Sequence, residues 1–196
     1  RFFGMEMTNT VLLDYSIALS FILMAILSPL LSGIADYTGK KKRFMQFFTY
    51  LGGISCMMLF FFKGDNIEWG IIFSLLASIG FSGALVFYNA FLPEITTYDH
   101  YDRVSAKGFS LGYLGSLLLL GVNLAMTMNP GMFALADSGV ASRTAFLMVG
   151  VWWMGFAQIP FTVLPQGTKK LTDAPVFKKG YQELRSVWKA LSHYIQ

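Results

Sequence analysis

The residues best placed to do chemistry lie in one short segment, LLSGIADYTGKKKR, residues 30–43. Asp36 stands three residues before Gly39, and four basic residues follow the glycine without a break. A basic run after an apolar stretch is typical of an anchor at the cytoplasmic membrane surface, with the glycine at a turn. Anchoring explains the lysines but not a carboxylate placed three residues before the glycine, at the membrane boundary.

The other reactive residue types are few and dispersed. The chain has one cysteine, Cys56, and two histidines, His100 and His193, far apart in the sequence. This set has neither metal-ligand spacing nor a nucleophile–base arrangement. The sequence therefore predicts that the protein is not an enzyme, with no catalytic residues, no metal site and no cofactor. We interpret Cys56 as a small apolar filler.

The hydropathy of the chain predicts the helices on which these residues lie. Only 13% of the 196 residues are charged, whereas a soluble domain carries about 25%. All 26 charged residues lie outside five windows, residues 15–35, 44–62, 69–93, 108–136 and 144–168. About 20 apolar residues cross a bilayer, and a helix satisfies its own backbone hydrogen bonds there. We predict an all-α membrane protein with five transmembrane helices in residues 1–168, at about 11–35, 44–62, 69–92, 105–128 and 144–164. A soluble enzyme, a disordered tail and a disulfide scaffold are excluded.

The basic residues predict the orientation of these spans. Alternation along five helices puts twelve of the 15 Lys and Arg residues on one side, leaving Arg1, Lys63 and Arg143 on the other. Basic residues are retained in the cytoplasm, so we expect the N-terminus outside and the C-terminus in the cytoplasm. The net charge of +4 then reflects topology, and we expect no nucleic-acid partner. An odd number of spans also predicts a further helix before residue 1.

Two further segments carry helical patterns. Small residues on the fourth span fall on one helix face and predict close helix packing, at Ser105, Gly108, Gly112 and Gly115. In residues 169–196 an apolar stripe recurs every three or four residues, at Phe177, Tyr181, Leu184, Trp188, Leu191 and Ile195. We expect this segment to be a cytoplasmic linker whose amphipathic helix lies on the membrane or on the inner face of the protein.

The segment that contains Asp36 resembles the signature loop of the major facilitator superfamily, Gly-x-x-x-Asp-x-x-Gly-basic-basic. Asp36, Gly39, Lys40 and Lys41 match it in register. The chain departs from the pattern at Ser32, which stands where the family has glycine, and at Tyr37, where the family has a basic residue.

A second resemblance narrows the family. The stretches YNAFLPEI, residues 88–95, and DRVSAKGFSLGYLGS, residues 102–116, are similar to the vacuole-effluxer (autophagy-related permease) branch and its bacterial relatives. This resemblance implies that the five spans are the second to sixth of a twelve-helix fold. The missing first helix and the C-terminal half of the same protein would then be partners, together with the lipid bilayer.

The resemblance implies transport of a small solute, an amino acid or a similar molecule, by alternating access. It assigns Asp36, Gly39, Lys40 and Lys41 to a cytoplasmic gate, with Arg103 as an accessory contact. Polar residues deep in the spans are candidates for contact with the substrate, although a helix–helix hydrogen bond is the better explanation for each of them: Ser78, Asn123 and Gln158. We expect a bacterial inner membrane protein. A polytopic scaffold or assembly subunit without transport activity remains the alternative.

Overall fold

The computed structural model describes residues 9–63 and 66–165. The predicted amphipathic helix in residues 169–196 lies outside this part of the chain. The described elements are helical and run in this order: α1 Asn9–Thr38, α2 Lys41–Met58, a 3₁₀ turn Leu59–Phe61, α3 Ile67–Ala90, α4 Leu92–Ile95, a 3₁₀ turn Tyr98–His100, α5 Tyr101–Met128, a 3₁₀ turn Pro130–Phe133, and α6 Ser138–Val163.

Five of the described helices are long and apolar enough to cross a membrane: α1, α2, α3, α5 and α6. This confirms the predicted all-α membrane fold. The helices α5 and α6 begin at Tyr101 and Ser138, one to two turns before the spans predicted from charge. The reason is that Asp102, Arg103 and Arg143 are accommodated in helical turns at the membrane edge. A charge therefore marks the edge of the hydrocarbon, whereas the helix continues into the polar region.

The helix α2 is the centre of the packing. It packs along both α3 and α6, while α1 packs chiefly along α3 and α5 along α6. The α3 and α6 helices also meet, at the rings of Phe81 and Trp153. Residues far apart in the sequence, at the start of α2 and the end of α6, are brought together by this arrangement.

The best buried part of the core lies at the end of the helix bundle that contains the α1–α2 turn. Phe87 is 1% exposed, and its ring stacks on Phe44 and Phe48 with centroid distances of 5.4 and 5.9 Å. The side chains of Ala35, Phe91 and Phe161 complete this buried cluster. Large aromatic rings contribute most of the buried apolar area at such a site, so the ends of α1, α2, α3 and α6 are fixed relative to one another.

Candidate functional site

The turn between α1 and α2 is built on a single glycine. Gly39 has a φ of +66°, in the left-handed region that glycine adopts without steric cost. The Lys40 N–H donates to the Ala35 carbonyl at 3.2 Å and closes the C-terminal turn of α1. The chain therefore reverses within two residues, and the basic run begins the next helix directly.

Asp36 lies in the last turn of α1, three residues before this glycine. Its side chain is outside the part of the chain that the structure describes, so its role in a gate stays a prediction.

Lys41 joins the start of α2 to the segment after α3. Its Nζ donates to Glu94 Oε1 at 2.8 Å, with Glu94 in the short helix α4. The two side chains are only 14% and 28% exposed, so water screens this ion pair less than a surface pair. Glu94 lies in the stretch YNAFLPEI, and no pattern in the sequence pairs it with a lysine.

Lys42 is bound to the end of a different helix. Its Nζ donates to the Leu164 carbonyl at 2.8 Å, immediately after α6 ends at Val163. The lysine is 9% exposed, and an ammonium at a helix C-terminus is stabilised by the carbonyl groups that have no partner there. We call Gly39, Lys41, Lys42, Glu94 and Leu164 the turn cluster. Consecutive helical residues point about 100° apart. This spacing is the one sequence signal that adjacent lysines have different partners.

The remaining basic candidates are in a different environment. Lys40 and Arg43 are exposed, and neither side chain makes a hydrogen bond or ion pair with any residue in the described ranges. The same holds for Arg103, which is exposed in the first turn of α5. Within residues 9–63 and 66–165, the structure therefore brings Lys41 into the turn cluster but not Arg103.

Gln158 makes a helix–helix hydrogen bond. Its Nε2 donates to the Met154 carbonyl at 2.8 Å, and its side chain lies 3.3 Å from the Tyr50 hydroxyl of α2. The Tyr50 ring also lies 5.9 Å from the Phe161 ring, centroid to centroid. Gln158 therefore joins α6 to α2.

The other candidates for contact with the substrate are located on α3 and α5. Ser78 is half-buried on α3, and Asn123 lies on α5, which packs chiefly against α6. The Oδ1 of Asn123 and the Oγ of Ser82, one turn beyond Ser78, are buried without a hydrogen-bond partner among the described residues. Buried polar atoms without partners are costly, so these two atoms are the polar positions most in need of another group. Ser82 was not among the residues predicted from the sequence to contact the substrate.

The predicted small-residue face of α5 meets little within the described chain. A Cβ on Gly108 would lie 2.5 Å from the Tyr88 hydroxyl, and one on Gly115 would lie 3.8 Å from Trp152 Nε1. A Cβ on Gly112 would meet nothing within 4 Å, and Ser105 is half-buried at the start of this face. Packing of another helix against this face stays a prediction.

Together, five apolar helices and a polar cluster at one end define a multi-pass α-helical membrane protein. The model of the family "Vacuole effluxer Atg22 like" matches residues 1–196. The chain belongs to this family.

The relatives agree with that assignment. The uncharacterized MFS-type transporter YxiO of Bacillus subtilis is 39% identical over 153 residues, 78% of this chain and 36% of that protein. Autophagy-related protein 22 of Pyricularia oryzae is 22% identical over 208 residues, 78% of this chain and 30% of that protein. The protein of the same name from Yarrowia lipolytica is 23% identical, covering 82% of this chain and 36% of that protein. The chain thus spans about a third of the length of these curated relatives. No solved structure matches it.

Proposed function

We propose that this chain is part of a transporter that moves a small solute across a membrane by alternating access. Family membership supports transport, since one relative carries the name of an MFS-type transporter and the family that of a vacuole effluxer. The observation that carries the mechanism is the turn cluster. It ties the start of α2 to α4 and to the end of α6, so these ends can move as one unit when the two halves of the protein rock.

Asp36 is the proposed gate residue of this unit. It precedes Gly39 in the last turn of α1, so its backbone is continuous with the turn cluster. In the state closed to the cytoplasm its carboxylate would contact a helix N-terminus or a basic residue of the other half, and separation of the halves would break that contact. Lys40 and Arg103, both exposed, would add attraction for acidic groups of the other half.

The proposed substrate is an amino acid or a similar small molecule, and its proposed binding site includes Ser78 and Ser82 of α3 and Asn123 of α5. The two buried oxygens without partners, on Ser82 and Asn123, support this location. Gln158 is a weaker candidate, because its amide is already hydrogen-bonded to Tyr50 and Met154. The face of α5 around Gly112 would pack against the rest of the protein, the C-terminal half included.

The proposed location is a bacterial plasma membrane, with the α1–α2 turn in the cytoplasm. The orientation is supported by the four consecutive basic residues at this turn, since the α2–α3 connection and the start of α6, at the other ends of the spans, carry only Lys63 and Arg143.

The gate is tested with the full-length protein reconstituted in liposomes, by comparing Asp36→Asn with Asp14→Asn. Asp14 lies on the same helix near its other end and is exposed, so it is a matched control. If the lost contact contributes about 1.4 kcal/mol, the exchange rate of labelled amino acids falls about tenfold in Asp36→Asn and is unchanged in Asp14→Asn. Wild-type exchange by an Asp36→Asn protein that is folded and inserted would exclude the gate role.

The substrate class is tested separately in the same liposomes. Each unlabelled amino acid or small peptide is loaded inside, and uptake of a labelled pool is measured against protein-free liposomes. Exchange stimulated by one group of amino acids supports the proposal. Exchange stimulated only by solutes of another class would retain the transporter and reject the amino acid substrate.

A further inference from the structure

The connection between α5 and α6 is apolar and exposed, at the end of the helices opposite to the turn cluster. Met132 is 85% exposed, Met128 is 70% exposed and Phe133 is 41% exposed. No charged residue occurs between Lys107 and Asp137. The connection between α2 and α3 at the same end differs, because it carries Lys63 and Asp65. An exposed apolar loop beside a charged one indicates that the two meet different surroundings.

Several backbone N–H groups of this connection are hydrogen-bonded within the chain and need no water as a partner. The Met132 N–H donates to the Asn129 carbonyl at 3.1 Å, and the Leu135 N–H donates to the Pro130 carbonyl at 3.0 Å. Ala134 has a φ of +56°, an uncommon conformation for a residue with a Cβ, which allows the second of these bonds. Asp137 accepts from the Val140 N–H at 2.8 Å and caps α6. Polar backbone groups that are satisfied internally can lie in a medium of low polarity.

The length of α5 fixes the depth of this connection. The charge-free part of α5, residues 108–128, would rise about 32 Å, close to the hydrocarbon thickness of about 30 Å. Met128 then lies where the hydrocarbon ends, and the next residues begin in the headgroup region. The exposed apolar surface of α5 continues without a break into the connection, through Leu117, Leu120, Leu124, Met128 and Met132.

We propose that the turn Pro130–Phe133 is a lipid-binding anchor, with Met132 and Phe133 inserted in the interfacial region of the leaflet opposite to the turn cluster. The partner is the phospholipid itself, where apolar side chains are buried against the upper acyl chains. The anchor holds the connected ends of α5 and α6 at a fixed depth. This proposal depends only on the membrane-spanning helices and is independent of the proposed transport function.

Electron paramagnetic resonance of a nitroxide label at Met132→Cys tests the anchor. The full-length protein, with Cys56 and any other cysteine replaced, is reconstituted in liposomes of phosphatidylcholine and phosphatidylglycerol. Collision rates with oxygen, which partitions into lipid, and with a water-soluble nickel chelate are compared at each label. Lys63→Cys is the matched control, since it is exposed in the other connection at the same end. We expect oxygen to dominate at position 132 and the nickel chelate to dominate at position 63.

A second label at Gly131→Cys covers the case in which Met132→Cys fails to fold, because a Cβ at Gly131 meets nothing within 4 Å. Oxygen should dominate there as well. Nickel accessibility equal to that at position 63 would place the turn in water and overturn the proposal. Protection from both reagents would mean that protein covers the turn, and would overturn it too.

Discussion

The glycines of α2 and those of α5 have opposite surroundings. A Cβ on Gly80 of α3 would lie 2.5 Å from the Gly52 Cα of α2, and a Cβ on Gly150 of α6 would lie 2.5 Å from the Gly53 carbonyl oxygen. At these two contacts the helix backbones touch, and a side chain has no room. On α5, a Cβ on Gly112 or Gly121 would meet nothing within 4 Å.

A glycine therefore coincides with close helix packing only where the backbone of a second helix lies against it. In lipid, no hydrophobic effect drives helices together, so backbone proximity and side-chain fit hold α2 between α3 and α6. The glycines of α5 keep the same residue type and helical spacing without such a neighbour among the described residues. The polar contacts between helices are also found at α2, because Lys41 and Lys42, which make the two lysine contacts of the turn cluster, both lie in its first turn.

The largest effect is expected for Gly80→Ala. The added Cβ would overlap the backbone of Gly52, and overpacking of this kind costs about 1–3 kcal/mol. We expect a clear drop in the thermal unfolding temperature of the purified protein in detergent. Gly121→Ala on α5 is the control with free space. An unchanged unfolding temperature for Gly80→Ala would mean that α2 and α3 are not in backbone contact.

Lys42→Met should have the next largest effect. Methionine keeps the apolar part of the side chain but leaves the Leu164 carbonyl without its ammonium partner, which costs about 1–3 kcal/mol. The measurement is again thermal unfolding. Arg43→Met is the matched control, because it removes a neighbouring charge that makes no hydrogen bond or ion pair with a described residue. Equal losses for the two variants would show that charge at the membrane surface, and not the contact with α6, is what stabilises the protein.

A smaller effect is expected for the pair Lys41 and Glu94. The coupling energy from a double-mutant cycle of Lys41→Met and Glu94→Gln should be about 0.5–1 kcal/mol, near the upper end for partly exposed pairs. It should decrease in high salt, because added ions screen a partly exposed pair. A cycle that closes with no coupling would contradict a stabilising ion pair between α2 and α4.

The smallest effect is expected for Gly112→Ala, and it has the opposite sign. Alanine favours the helix by about 0.5–1 kcal/mol over glycine, and the structure offers space for its Cβ. From the described helices alone, the unfolding temperature of the full-length protein should rise slightly. A fall would show that a helix packs against Gly112, which is the packing proposed above for this face of α5.

Much of the fold could be predicted from single residues. The five apolar segments follow from composition, because the cost of a charge in hydrocarbon is a property of each residue and needs no knowledge of its neighbours. The turn at Gly39 could also be anticipated, since glycine adopts the left-handed conformation that this turn uses. The helix ends were predicted less well, because Asp102, Arg103 and Arg143 continue their helices beyond the hydrocarbon.

The candidate site was predicted only in part. What the sequence did not predict is which residues contact each other. In the sequence Lys42 could not be distinguished from the other basic residues of the membrane anchor. In the structure it donates to the Leu164 carbonyl, 122 residues away. Glu94 stood in a recognisable motif without a partner. Gln158 had two open interpretations, and the hydrogen bond to Tyr50 supports the one between helices.

From the sequence it follows that the chain is membrane-embedded, that five segments of its described part are apolar enough to span a membrane, and that a glycine turn followed by basic residues joins the first two. These properties depend on the transfer of each side chain to lipid and on local backbone geometry. The tertiary structure alone decided which glycines touch a backbone and which lysine binds which helix. Those contacts depend on the order in which the helices pack, with α2 between α3 and α6. Which helices pack together depends on contacts between distant segments, and the hydropathy of a single segment does not predict those contacts.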